Sequence, residues 1–350
     1  SSQQLSSQRA RGFDALYNRP PSNPGSDRPP SRPTSARDTS ASACVTYQQA
    51  DYHQAPHRQQ PSYQSAAANA PFQTMTNSRS APLGAGLGDL ARNITKDGTE
   101  LSVSGMSLSQ LPAAGYPESL TRIDASFNRL SEVPQALVDV VPTLMALDVS
   151  QNGLVGLPPD LGECPELKSV KVSRNKLSEL GFISWPLPSL TEVIADRNAI
   201  SMIPQALWLC PRLRHVSLCC NKLTAASLQM PDTVAAPLEH LDLGENRLGV
   251  LPPLGLYPNL IEVHVQQNGI RELPVEHLLP LQRVHTLDFS MNDVSALPPQ
   301  LALLPRLQNL TIIGNPIRAI PQSVQQRGAT AVLDLLKKRL PDEALAGVQH

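Results

Sequence analysis

Residues 144–157 read LMALDVSQNGLVGL. Apolar side chains stand at Leu144, Leu147, Val149, Leu154 and Leu157, and one amide, Asn152, falls among them. Leu147 and Val149 alternate with Ala146, Asp148 and Ser150, the period-two pattern of a half-buried strand. The pattern L-x-x-L-x-L-x-x-N-x-L-x-x-L returns at 167–180, 190–203, 238–251, 260–273, 284–297 and 307–320. Its Asn recurs at 128, 152, 175, 198, 221, 246, 268, 292 and 315, with spacings of 22 to 25 residues. A degenerate earlier copy carries Leu101, Val103, Met106, Leu108 and Leu111. One such copy cannot bury its own aliphatic side chains, so the copies must stack. A strand from each copy then joins a parallel sheet at ~4.8 Å spacing, and ten strands span about 43 Å. The longest departure follows Leu223, where TAASLQMPDTVAAP replaces the closing Leu-Pro.

Over roughly residues 98–321 this pattern resembles the leucine-rich repeat family. The closing L-P-x-x-L, as in Val133-Pro134-Gln135-Ala136-Leu137 and Ile203-Pro204-Gln205-Ala206-Leu207, is similar to the intracellular short-repeat class. The ending GNPIRAIPQSVQQRGATAVLDLLKKRL resembles that class's last repeat and capping helix. The resemblance implies an α/β solenoid, a leucine-rich repeat horseshoe of about ten 22–25-residue repeats with a parallel sheet on its concave side. The segments expected are an arm over 1–82, an N-terminal cap over 83–97, repeats over 98–321, a cap helix over 322–342 and a tail over 343–350. Within the cap, 329–340 reads as an amphipathic helix with Val332, Leu335, Leu336 and Leu340 on one face and Pro341 as its stop. A short helix over 87–94 is expected at the other end.

The first 90 residues differ from the rest. They hold 10 Pro, 14 Ser and 10 Gln, no Lys and no Glu, and only six Leu, Ile or Val. So little apolar area cannot offset backbone ordering, and an extended or disordered arm is expected. Its eight Arg and five Asp give +3, while the remaining 21 basic and 25 acidic residues give −4, summing to the net −1. That balance argues against nucleic-acid binding by bulk charge. No apolar run is long enough for a membrane helix, so no membrane contact is expected. Five Cys without a CxxC indicate neither a disulfide framework nor a zinc module. Cysteine-rich flanks are absent, which favours a reducing, cytoplasmic compartment.

Candidate sites follow from the columns that stacking creates. One reads Glu100, Arg122, Ala146, Ser169, Glu192, His215, His240, Glu262, Thr286, Asn309. Glu192, His215, His240 and Glu262 should therefore lie side by side, with Asp242, His264 and Asp288 in a second row. A solvated polar face explains them best; a divalent metal or a pH-gated contact is the sharper reading, since His titrates near ~6.5. A third column reads Ser104, Ser126, Ser150, Ser173, Asp196, Cys219, Gly244, Gln266, Ser290, Ile313. Its small residues leave room for a partner beside Phe127, Arg174, Arg197 and Met291, residue types enriched in binding hot spots. Phe127 reads equally well as core. Cys164 and Cys210 read as core hydrophobes. A Cys219–His215 nucleophile fails on reach, because four strand residues span ~13 Å. In the arm, Phe13, Tyr17, Tyr47, Tyr52, Tyr63 and Phe72 lie among Arg, Pro and Gln and suit docking on another protein. No catalytic signature, cofactor motif or metal motif is present.

The expectation is a non-catalytic protein–protein interaction scaffold. The tail-plus-solenoid layout resembles structural subunits of large cytoskeletal, microtubule-associated assemblies such as a ciliary or flagellar axoneme. The alternative is a soluble signalling adaptor that regulates a small GTPase or a phosphatase, as short-repeat relatives do.

Overall fold

The computed structural model describes residues 90–112, 115–134, 143–231 and 236–341. Each repeat contributes one three-residue strand: β1 (Glu100–Ser102), β2 (Arg122–Asp124), β3 (Ala146–Asp148), β4 (Ser169–Lys171), β5 (Glu192–Ile194), β6 (His215–Ser217), β7 (His240–Asp242), β8 (Glu262–His264), β9 (Thr286–Asp288) and β10 (Asn309–Thr311). They form one parallel ten-stranded sheet in sequence order, as the repeat predicts. The middle residue of every strand is buried and its neighbours are more exposed, save Ser217 of β6, which is also buried. Leu101, Ile123, Leu147, Val170, Val193, Val216, Leu241, Val263, Leu287 and Leu310 thus form a continuous apolar ridge beneath the sheet.

Several chain segments return behind the sheet through a short helix that a proline introduces. Pro158 precedes the 3-10 turn Pro159–Glu163, and Pro298 precedes Pro299–Leu303. Pro204 opens α1 (Gln205–Trp208), Pro274 opens α2 (Val275–Leu278) and Pro321 opens α3 (Gln322–Gln325). Proline's fixed φ and missing N–H suit the position just before or at a helix start. The closing leucine of the L-P-x-x-L stretch, as in Leu161, Leu207 and Leu301, then enters the core.

The asparagines join one turn to the next. Asn246 donates from Nδ2 to the carbonyls of Leu218, Leu243 and Gly244 and accepts the Leu223 N–H at Oδ1. The other eight positions repeat this pattern, from Asn128, which accepts the Leu108 N–H, to Asn315, which accepts the Val294 N–H. The amide satisfies backbone groups that a turn buried between its neighbours would otherwise leave unpaired.

The described ends differ in small ways from expectation. At the N-terminal end, Leu90 is buried and a 3-10 turn spans Ala91–Asn93, after which Ile94 bridges antiparallel to Leu101. At the other end, α4 (Ala329–Lys337) buries Val332 and Leu336, while Leu335 packs half-buried. The helix stops three residues before Leu340. Arg339 and Leu340 donate to Leu336 and Lys337, a tightening to i−3 bonds, because Pro341 disfavours the α conformation in the residue before it.

Candidate functional site

The outward residues of the strands align as the spacing predicts. In register across the sheet stand Glu100, Arg122, Ala146, Ser169, Glu192, His215, His240, Glu262, Thr286 and Asn309. Bonds between neighbours lace this row. Glu192 Oε1 lies 3.4 Å from His215 Nδ1, while its Oε2 accepts from Ser169 Oγ at 2.7 Å and meets Lys171 Nζ at 3.3 Å. His240 Nδ1 lies 3.1 Å from Glu262 Oε2. The two imidazoles sit between these carboxylates, with centroids 5.5 Å apart. The row therefore resolves into two Glu–His pairs back to back, each imidazole turned to its own carboxylate.

Burial alone would raise the Glu192 pKa. The hydrogen bonds from His215 and Ser169 and the charge of Lys171 outweigh it and hold the carboxyl at about 2, against an ordinary 4.5. The folded value is the lower one. The carboxylate's contribution to stability is thus complete above about 4.5 and is lost as pH falls toward 2. Glu192→Gln removes that contribution at every pH. The stability gap between the two proteins, read from urea unfolding at a series of pH values, should close between pH 4.5 and 2. A gap that stays constant through that window contradicts the assignment.

The second row behaves differently. Asp242 accepts the Gly244 N–H at 2.8 Å and Asp288 the Ser290 N–H at 2.8 Å. Asp124 and Asp148 do the same for Ser126 and Ser150. These carboxylates hold the chain as it leaves each strand. Burial raises the pKa of Asp148 and of Asp242, which is paired in register with His264.

Phe127, Arg174, Arg197 and Met291 each precede a repeat asparagine, and all lie in the left-handed region, with φ between 54° and 57°. Gln151, Cys220, Glu245 and Gln267 share the conformation at the equivalent position. That backbone costs an L-residue roughly 1–2 kcal/mol, so the turn is held open by the amide ladder beneath it. It turns each side chain away from the core: Phe127 is 58% exposed and Met291 57%. Phe127 is not a core residue. The sequence reading did not single out Ile313 as apolar surface, although it is 67% exposed. Nor did it see that Cys219, Cys220 and Glu245 come together across two turns. The visible signal was that Cys220 and Glu245 each stand one residue before a repeat asparagine. Cys164 and Cys210 are buried as expected. The arm candidates Phe13, Tyr17, Tyr47, Tyr52, Tyr63 and Phe72 lie outside the described residues.

No protein-family model matches the chain. It is similar to leucine-rich repeat serine/threonine-protein kinase 1 of Mus musculus, 27% identical over 244 residues that cover 67% of this chain and 10% of that protein. Podocan-like protein 1 of Homo sapiens is 29% identical over 58% of this chain and 45% of its own length. Tsukushi of Mus musculus is 26% identical over 61% and 62%. The chain thus spans less than two thirds of each of these relatives. Among solved structures, the leucine-rich repeat domain of APL1B superimposes with a TM-score of 0.52 at 21% identity, covering 63% of this chain and 65% of that one. The Leptospira interrogans leucine-rich repeat protein LIC12759 gives 0.50 at 24% identity, covering 65% and 64%. The asparagine ladder, the ten-stranded parallel sheet and these likenesses agree: the chain has the leucine-rich repeat fold.

Proposed function

We propose that this chain is a non-catalytic protein–protein interaction scaffold whose exposed sheet face docks a protein partner. One observation carries the reading. Ten strands present an unbroken row of outward side chains in register, with the ionisable group Glu192–His215–His240–Glu262 at its centre. Exposed Phe127 lies toward one end of that face and Met291 and Ile313 toward the other. Large apolar anchors around a polar, ordered surface are the composition of a binding face. The relatives support the reading at the level of the repeat, and the kinase activity in one relative's name is said of that protein alone.

The finer proposal is a structural subunit of a cytoskeletal, microtubule-associated assembly of the ciliary or flagellar axonemal kind, working in the cytoplasm. The repeat face would hold one partner while the arm's Arg and aromatic residues dock on others. Its support is the join of a Pro/Ser/Gln-rich arm over 1–82 to a stack whose Leu-Pro closures resemble those of the intracellular short-repeat class. Detergent extraction of cells expressing the chain tests it. A structural subunit stays in the salt-resistant, insoluble fraction, and E192K/E262K releases it. Complete release of the unaltered chain by detergent alone contradicts that role and favours the signalling adaptor.

A further inference from the structure

Cys219 and Cys220 follow β6, and Glu245 follows β7 on the next turn. The Cys220 N–H donates to the Gly244 carbonyl at 2.9 Å, which fixes the two turns side by side. Cys220 and Glu245 both take the left-handed conformation, with φ of 58° and 54°. The consequence is that the Cys219 and Cys220 sulfurs lie 3.4 Å apart, and one carboxylate oxygen of Glu245 lies within 4.8 Å of both. We propose that Cys219, Cys220 and Glu245 form a binding site for a thiophilic divalent cation of the zinc class, on the same face as the polar row.

The geometry needs little change. Two thiolates on a tetrahedral zinc at ~2.3 Å stand about 3.8 Å apart. That asks the sulfurs to part by a few tenths of an ångström, within reach of a side-chain rotation. Both cysteines are half-buried and Glu245 is exposed, so an ion can enter from solvent. The next two positions of the Cys219 column are Gly244 and Gln266. A Cβ at Gly244 would collide with the Gln266 side-chain amide at 2.1 Å, so glycine there lets the amide lie over the chain. Gln266 Oε1 is buried and has no hydrogen-bond partner. Solvent water would complete the tetrahedron.

The test uses the full chain, reduced, with zinc in competition against a chromophoric chelator and cobalt as a spectroscopic probe. One equivalent of cobalt should give a thiolate-to-metal charge-transfer band. The double variant C219S/C220S should lose that band and weaken zinc binding at least a hundredfold, and Glu245→Gln should weaken it about tenfold. Because two thiols must give up protons, affinity should fall by up to about a hundredfold per pH unit on acidification. H215Q/H240Q should bind as the unaltered protein does. Cobalt bound without a thiolate band overturns the proposal, whatever the variants' folding. So does zinc affinity that is unchanged in C219S/C220S, or lost only in H215Q/H240Q.

Discussion

Asn268→Ala is expected to lower the unfolding free energy by about 1–3 kcal/mol. Asn268 is 3% exposed in the middle of the stack. Its Oδ1 accepts the Leu248 N–H, and its Nδ2 donates to Leu243, Val265 and Gln266. Alanine orphans the Leu248 N–H, buried between turns, at about 1–3 kcal/mol, while the Leu243 carbonyl keeps Asn246 Nδ2 as a donor. Urea unfolding measures the change. Asn268→Asp should be no better, because it loses the Nδ2 donors and buries a charge facing carbonyls. A loss below about 1 kcal/mol would mean that apolar packing alone holds adjacent turns. In a stack whose stability is a sum of neighbour contacts, the damage should also be local. Hydrogen exchange should rise first in the turns around residues 243–270.

Trp208→Ala is expected to cost about 3–5 kcal/mol through its cavity alone. The ring is fully buried at the end of α1 and stands 6.3 Å from Tyr257, at 57°. Its indole N–H donates to the Leu228 carbonyl at 2.5 Å, and its own carbonyl accepts the Ala236 N–H at 3.0 Å. These two bonds fasten both ends of the irregular segment that replaces the Leu-Pro closure. Where several other repeats use a proline-led helix, this one uses a 3-10 turn over Ala226–Leu228, a left-handed Gln229 and the indole. Trp208→Phe keeps most of the volume but leaves the Leu228 carbonyl unpaired, at about 1–3 kcal/mol. Thermal unfolding followed by circular dichroism distinguishes the two. Equal losses in both variants would show that the hydrogen bond, not the volume, dominates.

The stack was legible because its signal is repeated: nine asparagines in phase leave one register, and that register places His215 beside His240. The same arithmetic located the Glu192–His215 and His240–Glu262 neighbours without coordinates. It could not say that each histidine would turn to its own glutamate, since side-chain direction depends on Ser169, Lys171 and the second imidazole. Phe127 was ambiguous for a related reason. A period-two pattern assigns faces only while the backbone stays extended, and the chain turns left-handed at that residue. The same turn hid the Cys219–Cys220–Glu245 cluster, whose members sit where the strand pattern has ended. The length of α4 was overestimated because Leu340 keeps the helical spacing and is buried, although the last turn has already tightened.

A partner docked on the sheet face would lie against His240 and away from Val250. A photo-crosslinking amino acid placed at His240, in the outward row, and in a second protein at Val250, exposed beyond the next repeat turn, compares the two surfaces in living cells. Crosslinks to a protein partner from position 240 that vanish with E192K/E262K, and none from position 250, are the predicted result. Partner crosslinks from position 250 with none from position 240 would contradict it.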